Sequence, residues 1–80
     1  MVERLVGKKV VGIKQSIKVM KNNEAKAVYV AKDADSRLIA PVINLAQEIS
    51  LEINYVSTMK DLGKLCGIDV GAATAVLLKD

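Results

Sequence analysis

Short β-branched runs alternate with apolar positions at helical spacing along the chain. Val10-Val11, residues 27–31, residues 53–56 and residues 74–78 read as strands. The run at 27–31, Ala-Val-Tyr-Val-Ala, has the unbroken apolar character of a central strand covered on both faces. Ile13, Ile17 and Met20 form one stripe of a helix expected over 13–22 and stopped by Asn22-Asn23. A second helix is expected to reach about residue 49 with Val42, Leu45, Ala46 and Ile49 facing inward. Pro41 suits its first turn, which makes 36–40 a separate irregular turn. A third helix begins after Ser57 or Thr58, with Asp61 near the capping-box position. It buries Met59, Leu62 and Cys66 before Gly67 ends it.

Strand and helix taking turns predict an α/β fold, a sheet at least partly parallel between layers of helix. The 80 residues supply one hydrophobic core and therefore one domain, spanning 1–80. Apolar residues make up 51% of the chain, yet Tyr29 and Tyr55 are its only aromatics, so the core is aliphatic.

Composition then narrows the function. Twelve Lys and Arg against nine Asp and Glu give a net charge of +3, which favours polyanions without requiring them. A single cysteine, Cys66, permits no disulfide within the chain and points to a reducing compartment. Residues 1–7 do not read as a signal peptide, and the apolar run at 71–78 is far shorter than the roughly 20 residues a bilayer demands. The expectation is a cytoplasmic protein without a membrane partner. With no histidine and one cysteine, neither a zinc site nor a histidine general base can be assembled within the chain, so no enzyme, metal or cofactor is expected.

Two places break local rules. On a helical wheel Lys14, Lys18 and Lys21 fall in one sector beside the apolar stripe, which is the ordinary look of a solvated face. Lys14, however, stands in the first turn, where the helix dipole makes a cation unfavourable by a few tenths of a kcal/mol. Beside Gly12 and uncapped N–H groups it suits an anionic ligand instead, although Gly12 could simply end a strand. The second place is Ile68, Asp69, Val70 and Gly71, where branched aliphatics stand in a connection that would ordinarily be polar. They plug the end of the sheet or form an apolar cradle for an unstacked base.

These residues resemble a known family. Gly12-Ile13-Lys14-Gln15-Ser16-Ile17-Lys18 is similar to the helix-entry motif of the kink-turn-binding ribosomal-protein family of the L7Ae type. Residues 62–71, Leu-Gly-Lys-Leu-Cys-Gly-Ile-Asp-Val-Gly, resemble its second signature, and Val-Ala-Lys-Asp-Ala-Asp at 30–35 resembles a third region. The likeness covers nearly the whole chain and is greatest to small stand-alone bacterial members of the YbxF type. It implies a three-layer α/β/α sandwich with a four-stranded mixed sheet. It also implies a structured RNA as partner, with sheared G·A pairs beside a bulge. The helix-entry residues Gly12, Ile13, Lys14, Gln15 and Lys18 would read the G·A pairs. Asp35 and Ile39 on one side, and Ile68, Asp69, Val70 and Gly71 on the other, would hold an extruded nucleotide. Lys14-Gln15 replaces the Asn-Glu of the archaeal pattern, exchanging acceptors for donors and adding a positive charge. Some relatives carry a basic residue where Met59 stands, and Lys60 could substitute only from a different angle.

The leading expectation is therefore a non-catalytic domain, monomeric when free, that stabilises kink-turns in ribosomal or messenger RNA, with the ribosome as a further candidate partner. A protein-interaction module docking through 68–73 is the alternative. A magnesium enzyme built on Asp33 and Asp35 is a thin third, since their ordinary role is to cap the turn before the second helix.

Overall fold

The computed structural model describes residues 7–79. The reading of the opening segment at residues 1–6 lies outside that range. The β-branched runs form strands where expected: β1 is Lys9–Val11, β2 Ala25–Ala31, β3 Ile53–Val56 and β4 Thr74–Leu78. Helix α1 is Ile13–Lys21, α2 is Ser36–Glu48 and α3 is Met59–Leu65.

The strands make one sheet in the order β1-β4-β2-β3. β2 and β3 are parallel, whereas β4 runs antiparallel to both β1 and β2. Register assigns the faces, because alternate residues of a strand point to opposite sides. Val28 pairs with Val76 on one face, and Tyr29 pairs with Ala75 on the other. Val19 and Met20 of α1, with Val42 and Ala46 of α2, pack against Val28 and Val76. Leu62 of α3 and Cys66, its C-cap, pack with Ala31 and Ala75, joined by Val30, Ala34, Ile39 and Ala72. The result is the expected α/β/α sandwich with a four-stranded mixed sheet. Fully buried Met20, Leu62, Val28, Val30 and Val76 each contribute roughly 1.5–3 kcal/mol of burial to it.

Three expectations need correction. Residues 36–40 are not an irregular turn but the opening of α2, which carries Pro41 in its interior. The carboxylate of Asp35 starts this helix by accepting the Arg37 N–H at 2.9 Å, and burial of Ile39 holds the turn that Pro41 would otherwise weaken. Ile49 does not face inward, because it lies just past α2 as the C-cap and is 43% exposed. Met59 is 37% exposed rather than buried, since the first position of α3 looks out over the connection before β4. In α1 the deepest residues are Ser16, Val19 and Met20, with Ile13 and Ile17 at the flanks. A serine on the core side is invisible to a count of apolar residues.

The topology has one consequence for function. β1, β2 and β3 all point the same way, so α1, α2 and α3 all begin at one end of the sheet. β4 runs oppositely, and its first residue, Thr74, lies at that same end. Three helix N-termini and the 67–73 connection thus share one rim. Such ends, beyond the carboxyl termini of parallel strands, are where open α/β sheets bind ligands.

Candidate nucleic-acid interface

The rim is stitched together by backbone. The Gly12 N–H donates to the Thr74 carbonyl at 3.0 Å, and the Ala31 N–H donates to the Ala73 carbonyl at 2.9 Å. Lys32 N–H donates to Val56 at 2.8 Å, which joins the β2 exit to the end of β3. Met59 is the hub of the opposite side: its N–H donates to the Asp33 carboxylate at 2.7 Å, and its carbonyl accepts the Ala72 N–H at 3.0 Å. Asp33 therefore caps α3, 26 positions away in sequence, and not the turn before α2.

The three helix starts differ electrically. α2 is capped by Asp35, and α3 by Thr58, whose hydroxyl accepts the Asp61 N–H at 3.0 Å. α1 has no side-chain cap and no acidic residue in its first turn. The N–H groups of Ile13, Lys14 and Gln15 consequently lack an intrahelical acceptor, and the dipole leaves partial positive charge there. Gly12 makes this possible. Its φ of 110° and ψ of 155° fall in a region that is essentially glycine's alone, and open space surrounds the position a Cβ would take.

Around that start Lys14 and Gln15 are exposed, Gly12 and Ile13 are half-buried, and Lys18 is exposed one turn further on. Across the rim Asp69, Val70 and Gly71 are exposed, with Val70 at 70%, while Ile68 is half-buried against the α3 side of the core. The connection is held close to α3 because Gly63 has no side chain: a Cβ there would collide with the Val70 carbonyl. The structure thus brings Gly12, Ile13, Lys14 and Gln15 to one rim with residues 68–71 through the Gly12–Thr74 link.

The second helix fits this picture less well. Asp35 stands at the rim, but its carboxylate is engaged by the Arg37 N–H and by the Arg37 guanidinium at 3.1 and 3.3 Å. The guanidinium, with the backbone N–H second, holds that carboxyl below the ordinary carboxylate range. Ile39 is only 7% exposed and belongs to the core. Its neighbour Leu38, 56% exposed, is the aliphatic side chain that α2 presents outward, and sequence reasoning missed it. The signal was there: Ile39, Val42 and Ala46 recur at helical spacing once a helix is started at Asp35. Exposed Met59 and Lys60 complete this side.

Among the described residues no group of three or more His, Cys, Asp or Glu side chains could hold a metal ion, and Asp33 and Asp35 are both occupied in helix caps. Among the same residues no helix is long and apolar enough to cross a membrane.

The fold is shared with small proteins of known structure. The 15.5 kD RNA binding protein of Giardia lamblia superposes with a TM-score of 0.84 at 19% identity, over 90% of this chain and 61% of that one. A Bacillus halodurans protein of unknown function superposes with a TM-score of 0.80 at 15% identity, over 89% and 71% of the two chains. The chain belongs to the ribosomal protein L7Ae/L30e/S12e/Gadd45 family, whose profile matches residues 3–80. An RNA-binding protein of Caldanaerobacter subterraneus subsp. tengcongensis is 45% identical over 75 residues, 94% of this chain and 92% of its own length. The RNA-binding protein YbxF of Geobacillus stearothermophilus is 45% identical over 73 residues, 91% and 89% of the two lengths.

Proposed function

We propose that this protein binds structured RNA and stabilises kink-turns without catalysing a reaction. The observation that carries the reading is the open, uncapped start of α1, fixed by Gly12 to the chain entering β4. Backbone N–H groups and the donors of Lys14 and Gln15 suit the acceptor-rich edges of sheared G·A pairs, and Lys18 suits a flanking phosphate. The exposed Val70, with Asp69 and Gly71 beside it, suits an extruded base that needs an apolar surface and a few polar contacts. Ile39 supports that cradle from beneath, and Leu38 takes the outward place. By gripping the bent form more tightly than the straight one, the protein shifts the RNA's own equilibrium towards the bend. The names of the relatives favour RNA as the partner. The cytoplasm is the setting that goes with this reading, and the ribosome is a candidate partner.

Lys14→Ala and Lys18→Ala test the docking. Each variant is expected to weaken binding by about 1–3 kcal/mol if the lysine meets a base, or to lower the salt slope by about one if it meets only phosphate. Unchanged affinity and slope in both would remove α1 from the interface.

A further inference from the structure

The end of the sheet opposite the rim carries a groove that RNA docking leaves unused. It encloses about 510 Å³, within the usual range of ligand pockets. Its floor is closed by the nearly buried Met20 and Ala25, and Ile49 and Leu51 offer the apolar surface. Its lining includes three lysines, Lys21, Lys26 and Lys79, and among the described residues no carboxylate lines it. Two left-handed residues shape the walls: Asn23 at φ 59° turns the chain out of α1, and Ser50 at φ 56° turns it out of α2. The β4 exit is tied across by the Lys79 N–H to the Glu24 carbonyl at 2.8 Å and by its ammonium to the Asn23 amide oxygen at 3.0 Å.

The helix dipole accounts for only part of this charge. Lys21 sits in the last turn of α1, where a cation is favourable, but Lys26 is on β2 and Lys79 follows β4. Lys21 and Lys26 form no ion pair with a described residue. Glu24, Glu48 and Glu52 stand nearby but do not line the groove, and the Glu52 carboxylate accepts the Asn54 amide at 3.1 Å. Ile49, an aliphatic residue that the amphipathic pattern assigns to the core, is instead left open at the groove.

We propose that this groove docks an acidic, leucine-bearing peptide segment of a partner protein. An extended peptide can set aliphatic side chains on the apolar floor while its carboxylates meet the three ammonium groups. RNA matches it poorly. No aromatic side chain lines the groove for base stacking, and a duplex presents phosphates and sugars that would leave the floor uncovered. β2, seven residues long, separates the groove from the rim by roughly 20 Å. If the RNA reading above holds, the domain therefore joins a protein at one end to RNA at the other.

The test uses the full chain, labelled for NMR and free of RNA, so its result does not depend on the kink-turn reading. The probe is a short capped peptide alternating glutamate and leucine, compared with one in which serine replaces each leucine. Shifts are expected around Lys21, Lys26 and Ile49 but not around Gly12 or Lys14. The serine peptide should bind at least about tenfold more weakly, and so should the leucine peptide to a Lys21→Glu/Lys26→Glu double variant. Ile49→Asp, at an exposed position, should weaken it without unfolding the chain. Absent binding, equal binding of the two peptides, or shifts spread over the whole basic surface would overturn the proposal. So would displacement of the peptide by a kink-turn oligonucleotide, which would make the groove a phosphate surface.

Discussion

The carbonyl of Val70 occupies the place where a side chain on Gly63 would begin, with the Val70 carbonyl carbon 3.0 Å and the Gly71 Cα 3.2 Å from that position. Helix α3 and the aliphatic connection are in backbone contact, and the exposure of Val70 follows from it. Gly63→Ala therefore forces α3 and residues 68–71 apart. The expected destabilisation is about 1–3 kcal/mol in denaturant melts. RNA affinity should fall by more than the loss of folded protein explains. A fully stable variant with normal affinity would mean that the connection is not held in this way.

Gly12→Ala separates strain from crowding. Nothing stands within 4 Å of the new methyl group, so any loss comes from forcing φ 110° on an L-residue, worth about 1–3 kcal/mol. Urea unfolding should report that loss. Stability equal to that of the parent would show that α1 begins with a different backbone.

Asp33→Ala tests the long-range cap. It strips the Met59 N–H of its 2.7 Å acceptor, while Thr58 continues to serve the Asp61 N–H. A loss of about 1 kcal/mol is expected, with Asp33→Asn retaining part of the bond. Hydrogen exchange should speed up at Met59 in the alanine variant, and unaltered exchange there would contradict the bond.

The acid limb of stability should carry a contribution from Asp35. Its carboxyl is held below the ordinary value of 3.8 by the Arg37 guanidinium first and the Arg37 N–H second. The folded chain thus binds this proton more weakly than the unfolded chain. The stabilisation is present above the unfolded value and disappears as pH falls through the lower folded one. Asp35→Asn should flatten the pH dependence of the melting temperature below about pH 4, and the difference should shrink at about 1 M salt because the pair is exposed. An unaltered acid limb in the variant would contradict the pair.

Much of this was legible in the chain. The four strands announce themselves because aliphatic, β-branched runs have no other use in so small a domain, and Gly67, at φ 76°, ends α3 where the sequence places the stop. Pro41, a residue that favours first turns, obscures the true start of α2 at the Asp35 cap. The resemblance alone put Ile39 at the rim, and the helical register of α2 turns it into the core while Leu38 faces outward. The partnership of Asp33 with Met59 could not be read, because it depends on β2 and β3 lying side by side in parallel. Ile49 misled for a related reason: the apolar stripe of α2 continues past the residue at which the helix itself stops.

In the proposed complex an angular RNA meets the uncapped start of α1 and the Val70 connection together. The direct measurement is a titration, at two salt concentrations, of a kink-turn oligonucleotide and of the same strand with its G·A pairs replaced by Watson–Crick pairs. The kinked RNA should bind far more tightly at both concentrations, with the preference surviving as overall affinity falls. Equal binding of the bent and straight oligonucleotides would contradict the account.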